Sequence, residues 1–364
     1  DVGGDFSLAI KGVSQEAATY VSSVVADGGS GRPVQIVGAN ATTRLILPDL
    51  PLLRDVDDAG GAGSRVYYLM AGFGCPGWTG AALYRSADGS AWAQVGRALS
   101  EGAWGATANA LGSPRSPFGT DEENSLTVFM TTGGERLESV TQEALVNGAN
   151  AALVLKANGE PEIIQFRDVL LNPNGSWTLT GLLRGRRGTD VFVEGHAPGE
   201  LFALLDPDDV ETLITALGDL GLARFWRAVG FGTLFEDGET LVQSHTGRDL
   251  KPYAPWNVRT VKTGSPANIT LSWVRRTRIG GELKDGTGLV PLGEANEAYE
   301  IDILDGPGGA VKRTLTSVSP SVVYANAEML ADFGAVPVAL SVVVYQLSAV
   351  AGRGFPRAVT LEIP

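Results

Sequence analysis

Three arginines set among glycines, Leu182-Leu183-Arg184-Gly185-Arg186-Arg187-Gly188-Thr189, are the most unusual chemistry-bearing block in a chain of net charge −13. Glycines let a backbone approach a ligand closely and guanidinium groups fork onto carboxylate or phosphate, so the block could cradle an anion. It carries neither the Gly-Lys-Ser/Thr of a phosphate loop nor the Gly-x-Gly-x-x-Gly of a dinucleotide-binding turn. The second reading is structural. Among 41 Asp and Glu, the residues Arg184, Arg186 and Arg187 have many carboxylates to clamp, in their own chain or on a neighbouring subunit, and that abundance favours the structural reading.

Other catalytic chemistry is sparsely supplied. His196 and His245, the two histidines of the chain, fall in no zinc or serine-triad spacing, and a surface or loop position is expected for each. Cys75, between Gly74 and Pro76, lies in no nucleophile motif and reads as a small apolar turn residue. Asp55-Val56-Asp57-Asp58 lacks the downstream glutamate of a calcium loop and reads as a solvated acidic loop. A glycosidase needs two carboxylates at a set separation, but their number here singles out no pair. No catalytic residue, metal ligand or cofactor is therefore assigned. Trp78, Tyr84, Trp92 and Trp104 would offer stacking platforms for sugar rings where exposed, although residues of this kind more often fill a core.

The elements that position these residues are mostly strands. With 48 Gly, 19 Pro and few helical patterns, the chain is expected to be mainly β: several β-rich domains, few short helices and a C-terminal sandwich. The expected domains are a β-rich segment over 1–48, an aromatic-rich β domain over 49–120, a domain holding the arginine block over 121–253, and a sandwich over 254–364. Asp88-Gly89 between Ala81-Ala82-Leu83-Tyr84-Arg85 and Trp92-Ala93-Gln94-Val95 predicts a hairpin, and its Ser-x-Asp-Gly-x-x-Trp pattern resembles one imperfect sialidase Asp-box. A short helix is expected within 139–150, and the apolar spacing of Val210, Leu213, Ile214 and Leu217 tips 207–220 toward helix. Gly112 to Pro117 reads as a linker.

The acidic balance argues against nucleic-acid binding, which needs clustered cations to displace counterions. No apolar run is long enough for a membrane span. One cysteine excludes an internal disulfide and suggests synthesis in a reducing cytosol, and the missing initiator methionine suggests an excised C-terminal part of a larger protein.

Leu137-Glu138-Ser139-Val140-Thr141, Asn147 to Val154, Glu162 to Asp168, Leu182 to Asp190 and His196-Ala197-Pro198-Gly199-Glu200 resemble, in this order, the C-terminal part of the large central tail-tip protein, or megatron, of long-tailed phages and gene transfer agents. The resemblance is best over about 120–206. It implies a structural tail-tip or baseplate component, with other tail proteins as partners, a homotrimeric hub and a host-facing adsorption role. It also implies assembly in the bacterial cytoplasm and a place in the particle's tail. The family transfers no catalytic residue. The last segment resembles a fibronectin type III module, in which Trp273 ends the second strand and Tyr345 to Val350 belong to the sixth. The stretch from Trp273 to Tyr299 is longer than that family's usual second connection. The alternative to the tail role is a carbohydrate-binding module for host surface glycans, or an envelope-degrading glycoside hydrolase.

Overall fold

The computed structural model describes residues 42–73, 77–280 and 290–363, which belong to one compact unit, Asn40–Pro364. The chain is mainly β, as expected. Cys75 and residues 1–41 lie outside the described residues, so the expectations for them, including most of the 1–48 segment, are not addressed.

Six antiparallel strands close on themselves. Trp104–Thr107 pairs with Leu126–Thr132, which pairs with Trp177–Leu183, then Pro161–Leu171, Ala151–Leu155 and Leu201–Leu204, which returns to Trp104–Thr107. The two-residue alternation of a strand sends Ala152, Val154, Ile164, Phe166, Phe202 and Leu204 inward, where they meet Leu126, Val128, Leu179 and Leu182. Leu153, Ile163 and Ala203 point outward. Closure gives each of the six strands a neighbour on both sides, and where Pro161–Leu171 runs beyond its pairing with Trp177–Leu183 the Ile163 amide donates to the Thr189 hydroxyl at 3.0 Å.

The outward side chains are covered by Ser64–Phe73, the centre of a three-stranded sheet with Thr42–Ile46 and Glu211–Thr215. Tyr67, Leu69 and Ala71 of this strand face the barrel, together with Trp104. Val66, Tyr68 and Met70 face a four-stranded sheet made by Thr240–Ser244, Ala223–Gly230, Ala81–Ser86 and Trp92–Ala98. Burial on both faces accounts for the unbroken apolar run from Val66 to Ala71.

These pairings correct three expectations. The boundary between 49–120 and 121–253 does not hold, because Trp104–Thr107 is a barrel strand and Ala81–Ser86 pairs with Ala223–Gly230. Gly112 to Pro117 is accordingly no interdomain linker. Residues 207–220 are not helical: Glu211–Thr215 is a strand with Leu213 opposite Val66, followed by a short 3-10 turn at Leu217–Asp219. A partner strand with unpaired backbone outweighs a weak local preference for helix. The expected short helix is present at Gln142–Val146, capped by the Thr141 hydroxyl, which accepts from the Ala144 amide at 3.1 Å.

The C-terminal sandwich has its own core. Its first, second and fifth strands, Trp256–Thr263, Asn268–Val274 and Ser321–Tyr324, form one sheet. Its third, fourth, sixth and seventh, Tyr299–Leu304, Val311–Ser317, Ala339–Ser348 and Arg357–Glu362, form the other. That strand order is fibronectin type III-like, and Trp273, 5% exposed, meets Tyr299 edge-on at 5.0 Å in its core. The sandwich is joined to the barrel through Tyr253, Ala254 and Phe355 packed against Val191 and Phe192. None of the described helices is long and apolar enough to cross a membrane.

Candidate functional site

Glu162 shares the inward parity of Ile164 and Phe166 and stands near one end of the barrel. There it meets Arg184, which follows the neighbouring strand. Nε and one terminal nitrogen of Arg184 donate to the two Glu162 oxygens at 2.7 and 2.8 Å, and both side chains have no exposed surface. The other terminal nitrogen donates to the Gly112 carbonyl at 2.7 Å and lies 3.3 Å from Asp121. Glu162 accepts further bonds from the Gly185 amide at 2.9 Å and from His196 Nε2 at 2.7 Å. His196 Nδ1 lies 2.6 Å from Glu200, which also accepts from the Ala197 amide.

His196 is thus no surface histidine. A carboxylate on each side requires a proton on each ring nitrogen, so the imidazolium is the form that fits. Burial alone would lower its pKa, but Glu162 and Glu200 outweigh burial and raise it. Burial likewise pushes the Glu162 carboxyl up, and His196 and Arg184 reverse that and hold it below the usual range. Arg184 is therefore an intrachain clamp on an end of the barrel.

The rest of the block turns another way. Gly185, Arg187 and Gly188 adopt φ of 57°, 55° and 82°. A Cβ on Gly188 would lie 2.3 Å from a Tyr253 ring carbon, and one on Gly185 would lie 2.5 Å from the Asp190 backbone, so close approach requires both glycines. The turn projects Arg186 and Arg187 into a cleft of about 770 Å³ between the barrel and the second connection of the sandwich. Arg54, Arg136, Arg276 and Arg278 line the same cleft. Arg186 Nε donates to the Gln165 side chain at 2.9 Å, and no carboxylate among the described residues lies within ion-pair distance of its guanidinium. Of the two clamp alternatives expected for Arg186, own chain or neighbouring subunit, the first is not seen among the described residues. Arg187 hydrogen-bonds the Tyr253 hydroxyl.

A second arrangement escaped the sequence reading altogether. Ser64 Oγ lies 2.7 Å from His245 Nε2, and His245 Nδ1 lies 2.9 Å from Asp49, the spacing of a serine triad. Its protons run the wrong way for catalysis. The Ser64 hydroxyl donates to Asp249, so its oxygen accepts from His245, which must carry both protons. Burial would lower the His245 pKa, but Asp249 and Asp49 outweigh burial and hold it up at about 9. An imidazolium cannot take the serine proton, and Ser64 has no exposed surface for a substrate to reach. The group ties Ser64–Phe73 to the loops holding Asp49 and Asp249, and like His196, His245 is buried rather than on the surface.

The four aromatics do not form one platform. Trp104 is 7% exposed in the core beneath the barrel, which removes it as a sugar-stacking residue. Trp78 is wedged over Gly72 and donates to Thr43 at 3.1 Å. Tyr84 and Trp92 do share a half-exposed face, where Phe235 meets them edge-on at 5.1 and 5.7 Å and Arg227 lies over Trp92 at 4.7 Å. The predicted hairpin joins them: Ser86 and Asp88 side chains accept the amides of Gly89, Ser90 and Ala91, and Trp92 Nε1 donates to the Gly89 carbonyl. The acidic loop is not a solvated one. Asp57 is buried on Arg54 and the Tyr67 hydroxyl, Asp55 accepts the Gly280 amide, and Asp58 faces Arg278. Among the described residues no group of three or more His, Cys, Asp or Glu is placed to hold a metal ion.

Residues 102–203 match the family described as Rcc01698-like, C-terminal, a stretch that nearly coincides with the closed barrel. No curated protein matches the chain. Among solved structures, the chain is similar to the FN1–FN3 domains of chicken CNTN1, at 11% identity over 88% of this chain and 97% of that one, with a TM-score of 0.22. Domains A168–A170 of titin align at 12% identity over 89% of this chain and 98% of that one, with a TM-score of 0.20. These scores carry nothing about the fold, and the sandwich is assigned from its own strand order.

Proposed function

We propose that this chain is a non-catalytic structural component of the tail tip or baseplate of a phage or gene transfer agent, with a host-facing adsorption role. The observation that carries the reading is how the motif residues are used. Glu162, Arg184, His196 and Glu200 all belong to the segments that resemble the central tail-tip protein, and all four are consumed by one buried charge network. Such a network leaves no group free to transfer a proton to a substrate, and it fixes the geometry of a barrel end, which suits a load-bearing part. The second connection of the sandwich adds to this. Its first residues bring Arg276 to Asp190 at 2.7 Å and Arg278 toward Asp58, fastening the sandwich to the barrel body. Trimeric assembly and tail partners belong to the same proposal. Removing the coding segment for 102–203 tests it: particles should lose complete tails or adsorption, and normal infective particles would refute it.

A further inference from the structure

The cleft beside the arginine block is cationic in a protein of net charge −13. Several of its arginines hold carboxylates of their own: Arg54 with Asp57, Arg136 with Asp206 and Asp209, Arg276 with Asp190, and Arg278 with Glu294. Arg186 differs. Its guanidinium meets a neutral amide, although carboxylates are plentiful elsewhere in the chain. Partial desolvation in the cleft and the nearby charges of Arg187 and Arg276 lower its pKa, while the residue itself stays exposed and open to a ligand. A cation in such surroundings gains most from an anion brought from outside. The backbone reinforces this reading, because Arg187 holds a left-handed φ of 55° that a non-glycine residue adopts at a cost, between two glycines that allow the turn.

We infer that this cleft binds the carboxylate or phosphate of an acidic saccharide, with Arg186 as the principal anion ligand. The anionic group follows from the cleft itself. The saccharide scaffold rests on the host-facing role proposed above, since the compact anions met on a cell envelope are acidic sugars and phosphorylated sugar cores. Apolar walls at Leu53, Ile163 and Val210 and a volume of about 770 Å³ suit a few sugar units rather than an extended polyanion. The overall negative charge would repel a long nucleic acid.

Calorimetric titration of the purified full chain tests the inference. Four probes are needed: a tetramer of galacturonate, the same tetramer with its carboxyl groups reduced, a phosphorylated lipooligosaccharide core before and after phosphatase, and a glutamate octapeptide. One acidic saccharide should bind and its neutral counterpart should not. The carboxylate and phosphate arms then identify which anion is used. Arg186→Gln should weaken binding roughly 10- to 100-fold, as expected for one charge-assisted contact, with an unchanged melting temperature. Val146→Glu, an exposed cleft-lining position, should abolish binding by adding a carboxylate and serves if the first variant fails to fold. Equal binding of neutral and acidic sugars, binding of neither, or an undiminished Arg186→Gln affinity would each overturn the inference. Tighter binding of the glutamate peptide would place a protein segment in the cleft and overturn it also. A chain that binds acidic sugar yet is missing from the tail sinks the tail proposal alone, and a tail component that binds none sinks this inference alone.

Discussion

Arg184 forks onto Glu162 with two hydrogen bonds of 2.7 and 2.8 Å where both side chains are wholly shielded from solvent. Burying two charges is costly, and only the full set of partners around them offsets the desolvation. Removing one partner strands the other. Arg184→Met should therefore destabilise the chain by about 3–5 kcal/mol, and Glu162→Gln/Arg184→Met together by less than the sum of the two single changes. Denaturant unfolding of the two single variants and the double variant measures both quantities, and additive losses would show that the pair does not act as a unit.

His245 titrates at about 9, above its ordinary 6.5, because Asp249 and Asp49 outweigh the effect of burial. A folded-state pKa above the unfolded one gives stability that is fully present below pH 6.5 and lost as pH rises through about 9. The shift corresponds to about 3 kcal/mol at 1.36 kcal/mol per unit. His245→Gln should flatten stability against alkaline pH in this window. An imidazole NMR resonance of His245 with a midpoint near 6.5 would contradict the ion-pair geometry.

Ser64 should not react with fluorophosphonates, since its hydroxyl donates to Asp249 and has no exposed surface. Intact-mass spectrometry after exposure to the probe checks this. Covalent labelling lost in Ser64→Ala would make the group a working nucleophile.

Gly188→Ala should cost well over 1 kcal/mol, combining a φ of 82° with a Cβ placed 2.3 Å from the Tyr253 ring. Gly195, at φ 79° with nothing within 4 Å of a Cβ, supplies the matched control. Thermal unfolding of the two alanine variants separates strain from clash, and equal losses would mean that Tyr253 gives way freely.

Strands whose burial alternates were legible in the sequence at the Asp88-Gly89 hairpin and around Trp273. Closure of the barrel was not, because pairing Trp104–Thr107 with Leu201–Leu204 joins residues nearly a hundred positions apart and local pattern carries no such information. The role of Arg184 followed from the surplus of carboxylates, but the separate fate of Arg186 depends on which way a left-handed turn points. His196 and His245 were misplaced on the surface because each partner set is assembled from distant segments: Glu162 with Glu200, and Asp49 with Asp249. The choice between core and sugar platform for Trp104 is not local either, since the covering strand Ser64–Phe73 is what makes it core.

Cryo-electron microscopy of intact particles encoding this chain tests the central proposal most directly. The account predicts density for the closed barrel and its attached sandwich at the distal end of the tail, repeated about a threefold axis. Particles whose tail tips hold no copy of the chain would contradict it.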